Sequence, residues 1–239
     1  IPQVHKPVVT YGTDPQAEVR AIDITQRGMK MHFTVNLRGE HDWLRVTLNQ
    51  PGRHNVLNAL AAITVAREAG ASKEAIASGL ETFGGIGRRF QINGAIARDG
   101  GDVLLVDDYG HHPREIAATI QAARSGWSDR RLVVVFQPHR YTRTHDLLDD
   151  FASVLSEIDV LVICEVYAAG EAPITGADGR ALCRAIRARG RSEPVFVENV
   201  QALPEVLRDI VRANDLVLTL GAGNIGRVAA SLPTTLEAA

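Results

Sequence analysis

Val103-Leu104-Leu105-Val106-Asp107-Asp108-Tyr109-Gly110-His111-His112-Pro113 and Leu132-Val133-Val134-Val135-Phe136-Gln137-Pro138-His139-Arg140-Tyr141-Thr142-Arg143 are the stretches that decide the fold. In each, a short apolar run gives way to polar and titratable residues. Continuous apolar runs suit parallel strands buried on both faces. The pattern recurs at Val160-Leu161-Val162-Ile163, Val195-Phe196-Val197 and Leu216-Val217-Leu218. Between the runs, Pro113 suits a helix's first turn and Gly126 its stop, Leu147, Phe151, Val154 and Leu155 make one stripe, and Leu203, Leu207, Ile210 and Val211 another. This alternation predicts a Rossmann-like, doubly wound α/β domain with a mostly parallel sheet. Its ligands should sit beyond the carboxyl ends of the strands.

The first part of the chain reads differently. Val8–Tyr11, Val19–Ile24, Met31–Val35 and Leu44–Leu48 are short, rich in β-branched residues and separated by Gly12, Gly28 and Gly39, as an antiparallel patch would be. Asn55–Ala69 then carries Val56, Leu60, Ile63 and Arg67 at helical spacing with Gly70 as stop, and Ser72 can cap a second helix to about Phe83. The glycines of Gly84-Gly85-Ile86-Gly87 punctuate the change of pattern. Two domains are expected, an α+β segment at 1–87 and the α/β domain at 88–239.

With 239 residues, 45% hydrophobic and a net charge of -2, the chain can bury a core and has no global field for nucleic acid or an anionic membrane. Its two cysteines, Cys164 and Cys183, are too few for a disulfide framework and lack metal-ligand spacing. No apolar run approaches the roughly 18 residues of a membrane span, and Ile1–Lys6 lacks a signal peptide's apolar core. A soluble protein of the cytoplasm is expected.

Asp107–Pro113 offers carboxylates, a phenol and imidazoles that could bind a ribose, orient a nucleophile or cap a helix; adjacent histidines suit a metal poorly. Gln137–Arg143 places two guanidinium forks and an imidazole where they could hold an anion, or simply form a solvated turn. Following neighbouring strands, the two segments should converge on one crevice. Asn55 and Asn58 lie one turn apart, able to read a purine edge, although Asn beside a helix start is commonly a cap. Arg88 and Arg89 add cations at the linker. Gly221-Ala222-Gly223-Asn224-Ile225-Gly226 matches G-x-G-x-x-G but follows the last apolar run, with no ribose-binding acid about 20 residues on, and reads as a tight strand-to-helix turn. Trp43, Trp127 and the cysteines read as packing.

Taken together, Gly52-Arg53-His54-Asn55-x-x-Asn58-Ala59, Gly87-Arg88-Arg89-Phe90, Asp107–Pro113, Gln137–Arg143 and Gly170-Glu171-Ala172-Pro173-Ile174 closely resemble the Mur ligases of peptidoglycan synthesis, over nearly the whole chain. The resemblance implies an ATP-dependent amide ligase that phosphorylates the carboxylate of UDP-N-acetylmuramate to an acyl phosphate, which the amine of L-alanine attacks. By position, His54, Asn55 and Asn58 would hold adenine, Arg89 the phosphates and Asp108 the ribose. Tyr109, His111, His139, Arg140 and Arg143 would build the alanine end, with His139 or His111 as the candidate for removing the amine proton. The family's UDP-binding domain, P-loop lysine and magnesium ligands have no match here. The chain is therefore expected to correspond to the carboxyl-terminal part of such an enzyme, with magnesium ligands elsewhere, and not to ligate by itself. A murein peptide ligase acting on a tripeptide, or a non-catalytic nucleotide-binding module, are the alternatives.

Overall fold

A computed structural model describes residues 6–237. The chain forms two compact units, Ile1–Gly85 and Ile86–Ala239, against the boundary expected at Gly87. No helix among the described residues is long and apolar enough to cross a membrane.

The first unit is a four-stranded sheet in the order β1-β2-β3-β4, formed by Tyr11–Gly12 (β1), Val19–Arg27 (β2), Lys30–Leu37 (β3) and Glu40–Leu48 (β4). Period-two alternation sends Met31, Phe33 and Val35 of β3 inward. They meet Val19, Ala21, Val46 and Leu48 in one core with Val56, Leu60 and Ile63 of helix α1 (Arg53–Glu68) and Ile76 of helix α2 (Lys73–Thr82). Trp43 belongs to this core, as packing. The antiparallel expectation holds for β2 through β4 and fails at β1, which pairs parallel to β2. Val8–Thr10 form no strand; instead the Glu18 carboxylate takes the Thr10 N–H at 2.9 Å, the bond a ladder would have needed. The helix punctuation works as read: Gly70 adopts φ +84° after α1, and the Ser72 hydroxyl accepts the Ala75 N–H at 3.2 Å.

The second unit is a six-stranded sheet in the order β5-β6-β10-β7-β8-β9. Its strands are Gln91–Arg98 (β5), Gly101–Asp108 (β6), Arg131–Phe136 (β7), Val160–Cys164 (β8), Val195–Val197 (β9) and Asp215–Leu220 (β10). All pairs except β5–β6 are parallel. The helices are Pro113–Gly126 (α3), Tyr141–Asp146 (α4), Leu148–Leu155 (α5), Gly179–Arg187 (α6), Leu203–Ile210 (α7) and Ile225–Glu237 (α8). One face of the sheet, including Val103, Leu105, Val133, Val135 and Val217, packs on Leu203 and Leu207 of α7 and Ile225, Val228 and Leu232 of α8. On the other face Phe136 meets Phe151 of α5 with ring centroids 5.4 Å apart. Burial from both sides is the physical reason these strands need no polar alternation.

Two features of this sheet go beyond the apolar runs read from the sequence. The run at Val103 is the unit's second strand, because β5 precedes it as an antiparallel edge joined through Asp99-Gly100, with Gly100 at φ +90°. The strands carrying the two polar segments are also not neighbours, since β10 is inserted between β6 and β7 and pairs with both.

Candidate functional site

The inserted strand changes how the site is built. Three loops leave the carboxyl ends of β6, β10 and β7, and the middle one, Gly221–Asn224, contributes backbone. Its glycines are required by close approach. A Cβ at Gly223 would lie 2.4 Å from Gln137 Oε1 and 2.7 Å from Tyr167 Cβ; one at Gly226 would lie 2.4 Å from Arg88 Cζ. Gln137 laces the middle loop to the β7 loop, its Nε2 donating to Asn224 Oδ1 at 2.7 Å and its Oε1 accepting the Ile225 N–H at 3.0 Å. The glycine pattern thus serves protein packing, consistent with its reading as a tight turn.

The carboxylates closing β6 have separate jobs. Asp107, 2% exposed, accepts from Arg88 Nε at 2.7 Å and from the Thr219 hydroxyl of β10 at 2.8 Å. Arg88 extends the clamp to the Gly221 carbonyl. Asp108, 5% exposed, accepts the Phe90 N–H at 2.8 Å through one oxygen and the Gly110 N–H at 2.7 Å through the other. Burial pushes its carboxyl above the ordinary range against the pull of those donors and of Arg89. The ribose role expected for Asp108 therefore competes with two backbone donors that already occupy it. Phe90 stacks on Trp127 at 5.3 Å, the packing role expected of that tryptophan.

Tyr109, His111, His139, Arg140 and Arg143 come together across β10. The His111 ring stands edge-on to Tyr109 at 5.4 Å and 5.8 Å from His139. His139 stacks on Tyr167 at 5.5 Å, where main-chain bonds join the β7 and β8 loops, Arg140 N–H to Tyr167 O and Tyr167 N–H to Pro138 O. Arg143 Nη1 donates to the His139 carbonyl at 3.0 Å and reaches its Nδ1 at 3.2 Å, which leaves Nε and Nη2 as a fork for an anion. Burial, then the charges of Arg143, His111 and Arg140, hold His139 below the ordinary histidine range. Arg140 is exposed at φ +73° with Nη1 3.9 Å from Glu171 Oε1. Arg89 is exposed as well; it and Arg88 lie 5.6 and 5.2 Å from the Tyr109 ring, and Arg89 Nη1 is 3.9 Å from Glu115 Oε1.

In the first unit, His54, Asn55 and Asn58 occupy the opening turns of α1. The N-cap is Gly52 at φ +96°, so Asn55 is not the cap its position allowed. Its amide instead donates to the Pro51 carbonyl at 2.8 Å while its Oδ1 accepts from Asn58 Nδ2 at 3.1 Å. This pairing leaves the Asn58 amide oxygen and one N–H for a ligand.

Glu115 and Tyr167 escape a reading of motifs alone, and Glu171 and Arg88, present in the motifs, gain their roles only from the structure. Glu115 Oε2 takes the N–H groups of His111 and His112 at 3.0 and 3.1 Å, closing a capping box that the His112-x-x-Glu115 spacing could have signalled. Burial raises Glu115, but those donors and the His111 and Arg89 charges outweigh it and leave its pKa low. Glu171 holds the Thr142 N–H at 3.0 Å and hydroxyl at 2.8 Å, fixing the start of α4. Tyr167 had no local signal, and Arg88, read only as a cation at the linker, takes its role from partners distant in sequence. Among the described residues no group of three His, Cys, Asp or Glu side chains could hold a metal ion.

Comparison with known proteins agrees with this architecture. Residues 88–223 match the model of the Mur ligase glutamate ligase domain, and residues 2–66 that of the Mur ligase middle domain. The UDP-N-acetylmuramate–L-alanine ligase of Thiobacillus denitrificans is 59% identical over 233 residues, 97% of this chain and 50% of that protein. The crystal structure of the UDP-N-acetylmuramate–alanine ligase of Thermotoga maritima superposes with a TM-score of 0.80 at 29% identity, covering 96% of this chain and 48% of that one. A murein peptide ligase from Psychrobacter arcticus gives 0.61 at 25% identity over 95% and 46%. The chain spans about half the length of the relatives it matches. With both domain models aligned in order and the first covering more than half of the residues, the chain belongs to the Mur ligase family.

Proposed function

We infer that these residues serve the ATP-dependent ligation of L-alanine to the carboxylate of UDP-N-acetylmuramate, a cytoplasmic step of peptidoglycan precursor synthesis. The observation that carries this reading is the gathering of two imidazoles, a phenol and two guanidinium groups beyond β6 and β7 in a chain 59% identical to an L-alanine ligase. A carboxylate is a poor electrophile, and ATP corrects that by giving it a phosphate leaving group. The amine of alanine then attacks, the C–N bond forms and phosphate departs. The Arg143 fork and Arg140 take the alanine carboxylate, holding the amine free. Arg89 meets the nucleotide phosphates, with magnesium accompanying ATP, and Asn58, aligned by Asn55 and beside His54, meets the adenine. We assign Asp108 chiefly to fixing the Arg88-Arg89-Phe90 segment, with the ribose its secondary partner. The tight cluster favours a single amino acid over a tripeptide.

The test is calorimetric titration of the chain with magnesium ATP and with L-alanine, beside Arg143→Ala. Alanine binding to the parent and at least tenfold weaker binding to the variant is the expected result, since a charge-assisted fork contributes roughly 1.5–3 kcal/mol. No alanine binding by the parent, equal binding by the variant, or a preference for the tripeptide would overturn the assignment.

A further inference from the structure

The two histidines of the cluster are chemically distinguishable by what touches Nδ1. A guanidinium only donates, so the Arg143 contact at 3.2 Å makes His139 Nδ1 an acceptor and puts the proton of the neutral ring on Nε2. A backbone carbonyl only accepts, so the Tyr109 carbonyl at 3.1 Å from His111 Nδ1 demands the opposite tautomer, with Nδ1–H donating and a lone pair on Nε2. Glu115 Oε2, 3.6 Å from the same Nδ1, reinforces it with negative charge.

We propose that His111 is the catalytic base, accepting a proton from the alanine ammonium at Nε2, with Glu115 as its positioning residue and His139 as a fixed donor to the alanine carboxylate. This rests on the ligase reading above. The balance closes. Alanine arrives as an ammonium and His111 takes one proton. The amine's lone pair forms the C–N bond as the carbonyl-to-phosphate C–O bond breaks, and the departing phosphate takes the second proton. His111, its side chain 22% exposed, then releases its proton to solvent. Glu115 also lies 3.9 Å from Arg89, so an anion drawn onto Arg89 competes for the cation that balances Glu115 and strengthens the pull of Glu115 on His111. The groups facing His111 are Tyr109, Glu115 and His139. Those facing His139 are Arg143, Arg140, His111, Tyr167 and Glu171.

Two measurements test this independently. Long-range proton–nitrogen NMR of ring-labelled histidine in this chain reads each tautomer directly, whether or not ligation occurs. His111 is expected with the proton on Nδ1 and His139 on Nε2; Glu115→Gln should weaken the His111 preference for Nδ1–H, and Arg143→Met should release the His139 tautomer alone. The reverse tautomers, or a His111 tautomer indifferent to Glu115→Gln, would overturn the assignment. In ligation by the intact enzyme, His111→Gln should lower kcat at least 100-fold and abolish the acid limb of its pH profile. His139→Gln, which keeps a donor, should raise the KM for alanine and keep that limb. An acid limb that vanishes in His139→Gln and survives in His111→Gln would sink the proposal. A parent without alanine ligation, its tautomers as expected, would instead count against the ligase reading.

Discussion

Arg88→Met removes a charge while keeping most of the side chain's length, which isolates the clamp on Asp107. The substitution deletes the 2.7 Å bond from Nε to a carboxylate that is 2% exposed, together with the bond to the Gly221 carbonyl. A hydrogen bond to a charged group contributes roughly 1.5–3 kcal/mol, and stranding a buried charge about 3–5 kcal/mol. The Arg88 side chain is 27% exposed and Thr219 still donates to Asp107, so the lower part of that range applies, about 3 kcal/mol. For a domain of this size that is a Tm loss of about 6–12 °C. Urea unfolding followed by Trp127 fluorescence reports on the second unit, because Trp127 stacks on Phe90, two positions from Arg88. Asp107→Asn in the Arg88→Met background completes a double-mutant cycle and should return part of the loss. A single variant within about 0.5 kcal/mol of the parent, or a cycle with no coupling energy, would refute the reasoning.

Gly223→Ala forces a Cβ against Gln137 and Tyr167 and should cost about 1–3 kcal/mol in urea unfolding; a neutral result would mean the middle loop is free to shift. Cys164 is pushed up to about 12 and Cys183 to about 11, both chiefly by burial, so neither should react with a thiol reagent at pH 8 until denaturant is added. His139 is depressed below 6.5, so the unfolded chain binds its proton first: this stability is whole above pH 6.5 and is lost as pH falls toward the folded value. The urea midpoint of the second unit should therefore drop on acidification through that window and drop less in His139→Gln. Below it, the depressed Glu115 and Glu171 lose their contribution as pH falls through their folded values, while the raised Asp108 acts in the opposite sense.

The strands buried on both faces were legible because burial leaves only one kind of residue there, and the helix stop at Gly70 because backbone freedom is local; Gly126 is itself the last residue of α3, with Trp127 as its C-cap. Strand β5 was not legible: Gln91-Ile92-Asn93-Gly94-Ala95-Ile96-Ala97-Arg98 alternates weakly, and pairing to β6 through a tight Asp99-Gly100 turn supplies what its own composition lacks. That the Asp107–Pro113 and Gln137–Arg143 segments converge was legible from residue types after two apolar runs, although β10 lies between those strands. Residues of the two segments still meet across the inserted strand, with the His111 and His139 rings 5.8 Å apart. Sequence could not divide labour between Asp107 and Asp108, adjacent carboxylates whose partners lie on Arg88, Thr219 and Phe90. Nor could it tell the histidines apart, since the tautomer is decided by an arginine on α4 and a carbonyl before α3.

Strand β10 is the last strand among the described residues and occupies the middle of its sheet, paired with both β6 and β7. During synthesis those two strands emerge early and must wait with unpaired edges until Leu220 has left the ribosome. The closing pairings carry the largest loop-closure cost and come late. A nascent chain stalled before Asp215 should thus expose two apolar edges to chaperones or to each other, and the side-chain cluster beyond β6 and β7 comes into being with the final strand.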